Sequence, residues 1–323
     1  MDRRRFMATA GAAMLAPRGA GAQGYPVRPI RLIVTFAAGG PADLFARALA
    51  GGMSARLGQQ VVIDNRPGGA AGLPAIDAIA KAGPDGYQIA LAGAAALSTV
   101  PFMIPKMPFD WETSLTPLTL VSGVPEVITT NAKLGLRSLA DLVAYAKKNP
   151  GKVNFGSAGL GSITHLASEL FKAEAAIDIT HVPYRGAAPA VNDLIAGHID
   201  MVTADIPVLL PQIQAGSVNA LAVTTEKRIK ALPDVPTTAE VGFPKVVSDN
   251  WYGLIGPAGM PAEVSSRIHA AALATLRSDE LLKQFESQEA ISSPTSPDEF
   301  VAFIKAERAK WGPLIASIGV KLE

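Results

Sequence analysis

The sequence predicts an α/β protein built as two interleaved blocks, each a mostly parallel sheet flanked by helices. Three observations carry this prediction. Short apolar, β-rich runs alternate with helix-period stretches over most of the chain. Glycine-rich turns follow those runs at their carboxyl ends. At 323 residues the chain has room for two domains, and one block interrupting the other is more economical than a single giant sheet.

Residues 30–36 (IRLIVTF) are nearly continuously apolar, as a strand buried on both faces requires. A turn of Ala37, Ala38, Gly39 and Gly40 follows, and Pro41 stands where a first helical turn tolerates it. Phe45, Leu49, Met53 and Leu57 recur every four residues, giving a helix that Gly58 ends before a strand at 61–63. A second glycine-rich turn, 65–72, precedes a helix over 74–81. Residues 87–91 form a strand that runs into Gly93 and Ala94. Prolines and aromatics crowd 100–117, which predicts an irregular surface segment. Short strands are expected at 118–121 and 127–130, with a candidate crossover at Gly123, Val124 and Pro125 between them.

Ser138 and Asp141 make a capping box that opens a helix to 148, stopped by Asn149, Pro150 and Gly151. Val153 and Phe155 then lead into Gly156, Ser157, Ala158, Gly159, Leu160, Gly161 and Ser162, followed by a helix over 163–175. Strands at 179–184, 199–204 and 219–224 alternate with helices at 188–196 and 208–215. Three prolines make 232–244 a loop, and a strand at 251–255 carries the chain back. Helices over 262–276, 278–286 and 296–315 complete it, the last opened by Ser296, Pro297, Asp298 and Glu299. The expected division is an export signal at 1–22, a first lobe from 23–124 and 251–323, and a second lobe from 125–250.

The signal is read from a basic start, a short apolar run at 8–16 and the small-x-small site Ala20, Gly21, Ala22. Arg3, Arg4, Phe6 and Met7 favour the twin-arginine route, with the general secretory route as the alternative. Cleavage removes four arginines and one aspartate, turning a net charge of +1 into −2. A near-neutral chain carries no basic footprint for nucleic acid. With no cysteine there is no disulfide framework, thiol chemistry or lipidated cysteine, and no later apolar run reaches membrane-span length. A free, periplasmic monomer without cofactor or metal is expected.

Parallel α/β sheets bind ligands beyond the carboxyl ends of their strands, where all these turns lie. Glycines let the backbone approach a ligand, and a helix start offers unpaired N–H groups and positive potential. The turns at 37–43 and 156–162 therefore read as two anion cradles. Candidate ligand residues are Ala37, Ala38, Gly39, Gly40, Asp43, Ala94, Ser157, Ala158, Gly161, Ser162, His165, Tyr184 and Asp205. Several have a second reading. Ser162 or Thr164 equally suits a helix cap, and His165 is either a neutral donor to the ligand or a packed side chain. Asp43 and Asp205 either hold local structure or accept from a ligand amine or hydroxyl. His181 and His198 are expected at strand ends without a ligand role, His269 on the surface, and Trp251 at the junction.

Enzyme signatures are missing: no Gly-x-Ser-x-Gly elbow, His-Glu-x-x-His or phosphate loop occurs. Ser162 and His165 share a helix face but have no orienting acid in the sequence pattern.

The chain resembles the Bug-type (TctC-like) extracytoplasmic receptors of tripartite tricarboxylate transporters. The resemblance rests on TFAAGGPADLFAR (35–47), VIDNRPGGAAG (62–72), GPDGY (83–87), LVAYAKKNPGKVNFGSAGLGS (142–162), HVPYRGAAPAVNDLIAGHID (181–200), ALAVTTEKR (220–228), LPDVPTTAEVG (232–242) and WYGLIGPAG (251–259). It implies a type II periplasmic binding protein fold, with two lobes joined by two crossovers and closing on the ligand. It also implies that 37–43 and 156–162 hold a ligand carboxylate, partly through bridging waters. Three stretches depart from the family pattern: Ala37-Ala38 in place of two prolines, Gly93 to Ala96 apolar, and Thr203-Ala204-Asp205 in place of Phe-Asp-Asn. They predict a roomier, less polar far end of the pocket and a carboxylate with an apolar or aromatic body.

The function expected is capture of a small carboxylate for delivery to membrane transporter subunits. Service to a sensory system is the first alternative, and a secreted hydrolase using Ser162 and His165 the second.

Overall fold

Apolar runs ending in glycine make the strands, and stripes of helical period make the layers packed on them. The computed structural model describes residues 24–36 and 38–322, so the expected signal (1–22) and Ala37 lie outside the described residues. The first lobe opens with β1 (Ile30–Val34), α1 (Pro41–Leu57), β2 (Val61–Asn65), α2 (Gly69–Ala80) and β3 (Gln88–Gly93). Two short helices, α3 (Ala94–Ser98) and α4 (Trp111–Ser114), precede the long β4 (Leu115–Asn131). The second lobe holds α5 (Leu139–Lys148), β5 (Val153–Ser157), α6 (Ile163–Ala175), β6 (Ile179–Pro183) and α7 (Ala187–Ala196). It continues with β7 (Met201–Asp205), α8 (Ile206–Gln214) and β8 (Val218–Val223). The chain returns through β9 (Asp249–Pro257), α9 (Ala262–Leu276), α10 (Asp279–Glu286), β10 (Ile291–Ser292) and α11 (Pro297–Ile318). Both predicted serine starts are capping boxes, Ser138 with Asp141 and Ser296 with Glu299.

Ten strands join in one sheet of order β2-β1-β3-β9-β4-β7-β5-β6, with β8 and β10 also paired to β4. The trios β2-β1-β3 and β7-β5-β6 are parallel, while β4 and β9 run antiparallel to their neighbours. Strand–helix alternation announces the parallel trios. It gives no sign of the long antiparallel strands between them.

Where two short strands were expected, β4 is one strand that serves both lobes. It pairs with β9 as far as Pro125 and with β7 from Glu126 onward. Pro125, which has no N–H to donate, stands where the strand changes partners. Two register shifts, Pro117/Thr119 and Leu120/Ser122, bend it on the way. The expected irregular segment gives up its last three residues to β4. Helix α2 starts at Gly69, ahead of the predicted Pro74; its first turn is irregular, with Ala71 and Gly72 at positive φ (58° and 82°) and Gly72 against Thr35.

Phe45, Leu49 and Met53, the predicted stripe, are fully buried with Phe285 on one face of the first lobe. Trp251, Phe300 and Trp311 fill the other face. Both tryptophan Nε1 groups donate to Glu307 Oε2, at 3.2 and 3.0 Å, which places Trp251 in the packing of the junction. Phe155 and Phe171 anchor one side of the second lobe, and Val191, Leu194 and Leu209 the other. Burying one such aromatic is worth about 2–3 kcal/mol. Exposed pairs such as Arg28–Asp85 contribute at most about 1 kcal/mol, so the apolar layers hold the fold. Among the described residues, no helix is long and apolar enough to cross a membrane.

Candidate ligand-binding site

Strand direction positions the site. β1 runs the same way as β4, being parallel to β3, which lies two antiparallel steps from β4. β5 is parallel to β7 and so runs against β4. Because β4 passes from the first lobe to the second, the carboxyl end of β1 points at the second lobe and that of β5 points back at the first. Both glycine turns therefore lie at the joint-side ends of their lobes.

At the end of β5 the turn is built by its own side chains. Gly159 and Gly161 take φ of 132° and 77°, a region closed to most residues. Ser162 caps α6 by accepting from the His165 N–H at 3.2 Å and donates to the Gly159 carbonyl at 2.7 Å. Thr164 Oγ1 accepts the Ala158 N–H at 2.9 Å. These hydroxyls fix the loop, while helix geometry leaves the N–H groups of Ile163 and Thr164 for an outside acceptor. The β6–α7 turn is fastened to the same loop: Tyr184 N–H donates to the Ser157 carbonyl and Gly186 N–H to that of Ala158. The Tyr184 hydroxyl donates to Asp193 at 2.7 Å; burial, then that bond, pushes its pKa up to about 12.

Under this turn lie two imidazoles. His165 and His181 stack with centroids 3.9 Å apart, and Phe155 stacks on His181. Ser157 Oγ is 2.7 Å from His181 Nε2. The ring of His165 accepts from the Gly161 N–H through Nδ1, so its proton sits on Nε2. Burial, then the neighbouring imidazole, lowers His165 to about 3; burial, then Lys172, lowers His181 to about 4. Both rings are neutral at ordinary pH. The Ser162–His165 dyad of the hydrolase reading does not form, since Ser162 meets the backbone of His165 and the ring turns to Gly161. His181, expected to be idle, touches Ser157. The alternation that puts Phe155 and Ser157 on one face of β5, with His181 in register beside Phe155, is the signal that finds it.

At the end of β1, Gly39 takes φ of 84° and Gly40 caps α1 through its backbone. Asp43 is 2% exposed. Its Oδ2 accepts from the Gly39 N–H and Arg47 Nε, each at 2.9 Å, and its Oδ1 from Asn65 Nδ2 at 3.0 Å. The Arg47 bond, more than any other cause, holds its pKa down to about 2. Asp43 is thus the tie that closes this turn. Phe36 meets the edge of Tyr252 at 5.7 Å and lies against Gly93, where a methyl would stand 2.6 Å from its Cζ.

Ala38 is exposed beside Gly39, and Ala94 is fully buried at the start of α3. Asp205 ends β7 at the joint, where its Oδ2 accepts from Asn250 Nδ2 at 3.1 Å. A cavity of about 1100 Å³ beside the joint, lined by segments such as 225–230 and 289–292, includes none of these residues.

Residues 45–320 match the family described as the tripartite tricarboxylate transporter family receptor, TctC. The chain belongs to this family. It is 37% identical to protein BugT of Bordetella pertussis over 98% of this chain and 96% of that protein. The R. palustris protein Rpa4515, solved with adipate, superposes with a TM-score of 0.81 at 33% identity, covering 92% of this chain and 99% of that one. MatC from Rhodopseudomonas palustris, solved with bound malate, gives 0.77 at 26% identity, covering 90% and 100%. A periplasmic transporter and the periplasmic binding protein BugD superpose with TM-scores of 0.80 and 0.78 at 36% and 33% identity, each covering 93% of this chain and 100% of that one. The fold of this TctC receptor is the two-lobed one the resemblance implied. Of the positions that depart from the family pattern, Ala38 is exposed, while Ala94, Thr203 and Ala204 are each at most 1% exposed.

Proposed function

We propose that this receptor acts outside the cytoplasmic membrane, capturing a small carboxylate between its lobes and presenting it to the membrane subunits of a tripartite transporter. The observation that carries the reading is that each lobe sends a strand into a glycine turn and a helix start at its joint-facing end. Two such turns from different lobes reward only a ligand that touches both, so binding shifts the open–closed balance. The adipate and malate bound by the related structures support a carboxylate ligand.

In this reading Ala38 and Gly40 offer backbone contacts from one side and the start of α6 from the other, while the N–H groups of Gly39, Ala158 and Gly161 hold the turns through Asp43, Thr164 and His165. Ser157, Ser162 and Tyr184 line the second turn, Asp43 and His165 hold the turns in shape, and Ala94 and Asp205 border the far end. The lobes divide at 125 and 250, after an export signal at 1–22, and the mature receptor is a monomer. Buried Ala94 and Ala204, with the Phe36 and Tyr252 rings, favour an apolar or aromatic ligand body over citrate.

A thermal-shift screen of mono-, di- and tricarboxylates tests this. A true ligand at a hundredfold excess over Kd stabilises by about 2.7 kcal/mol. Stabilisation by apolar or aromatic acids is the expected result. Citrate outranking every monocarboxylate would overturn the choice of ligand body, and no shift with any acid would overturn the function.

A further inference from the structure

The joint holds a carboxyl pair, one member of which, Asp205, also borders the proposed pocket. β4 changes lobes between Pro125 and Glu126, and Glu126 lies in register with Asp205 on antiparallel β7. Directly opposed residues of an antiparallel pair project from the same face with Cβ atoms about 5 Å apart. Each carboxyl has one neutral donor. Ser248 Oγ donates to Glu126 Oε2, and Asn250 Nδ2 donates to Asp205 Oδ2. The remaining oxygens, Glu126 Oε1 and Asp205 Oδ1, are sealed from solvent and have no donor.

Other groups around the pair do not neutralise it. Asp249 starts β9, and Tyr252 stands further along that strand. From the loop after β8 comes Glu226, and from α11 come Glu307 and Lys310. The one cation among them, Lys310, contacts Glu307 Oε1 and donates to the Val247 carbonyl at 3.2 Å. Two ionised carboxylates side by side in such a place are too costly to hold. A single proton turns one orphan acceptor into a donor and removes the repulsion.

We propose that Glu126 and Asp205 hold a proton between them at neutral pH, making the joint of the two lobes a buried protonation site. Burial, then the charge of Asp205, drives Glu126 well above the usual carboxylate range. Asp205 itself rises to about 7, from burial first and despite the Asn250 bond. Loss of the proton puts two negative charges across the β4–β7 pairing, at a strand the lobes share. The joint loosens, and lobe closure becomes linked to pH. This stands independently of the ligand's identity.

The sign follows from linkage. Both native values lie above those of free carboxyls, near 4, so the folded chain keeps a proton that the unfolded chain releases. Stability from the pair is greatest below pH 4 and is lost as pH rises through about 7 and beyond. Histidines of the unfolded chain titrate near 6.5, so a window above that isolates the carboxyls.

Urea unfolding of the full chain between about pH 6.5 and 8.5 tests the pairing. The unfolding constant should rise by up to about tenfold per pH unit, and by less than about threefold in Glu126→Gln, which mimics the protonated acid. A flat wild-type profile, or an unchanged slope in both Glu126→Gln and Asp205→Asn, overturns the proposal. Infrared spectroscopy of the wild type at about pH 7.5 needs no variant to fold. It should show a protonated-carboxyl C=O band that persists in Asp249→Asn. No such band in the wild type overturns the proposal.

Discussion

The imidazoles of His165 and His181 stack 3.9 Å apart beneath the turn that carries Ser157. Burial disfavours a charge on either ring, and His165 Nδ1 must stay unprotonated to accept the Gly161 N–H that shapes the turn. Their native pKa values, about 3 and about 4, lie below the 6.5 or so of an unfolded histidine. The stability this contributes is complete above about pH 6.5 and is lost as pH falls towards 4. Thermal melts between those limits should show a falling midpoint, and His181→Gln should make the fall shallower.

Asp43 binds three donors, Gly39 and Arg47 close in the chain and Asn65 from the end of β2, so it acts on stability before it acts on ligand. Asp43→Ala should lower unfolding free energy in urea by roughly 2–3 kcal/mol at neutral pH. Its depressed pKa, about 2, places its pH window between about 4 and 2, where stability falls as the carboxylate gains a proton. The variant should lack that part of the acid limb.

Glycine positions with similar φ should differ in sensitivity. Gly39 (φ 84°) has nothing within 4 Å of an added Cβ, so Gly39→Ala meets only the left-handed backbone penalty of about 1–2 kcal/mol. At Gly72 (φ 82°) the same methyl stands 2.7 Å from the rigid Thr35 carbonyl. Gly72→Ala should therefore be the more destabilising in urea, by a further 1 kcal/mol or so.

How far the sequence reveals this depends on the range of the interaction involved. The helix stripe at Phe45, Leu49 and Met53, the capping serines and the glycine turns are local, and they are legible. The pairing of Ser157 with His181 crosses 24 positions and depends on the register of β5 with β6. Asp43, with two readings open in the sequence, is resolved by Asn65 arriving from 22 residues away. Least legible is β4: Gly123, Val124 and Pro125 look like a break, yet backbone pairing to β9 carries the strand straight through them. The acid pair at the joint follows from that continuity, and neither Glu126 nor Asp205 announces the other.

The central claim is that backbone N–H groups from both lobes hold a ligand carboxylate. Calorimetric titration with the best acid of the panel and with its uncharged amide tests it most directly. Losing the charge-assisted hydrogen bonds should weaken binding by about 1.5–3 kcal/mol, roughly ten- to a hundredfold in Kd. An amide that binds within about twofold of its acid would contradict the account, because donors worth that much cannot be facing a carboxylate.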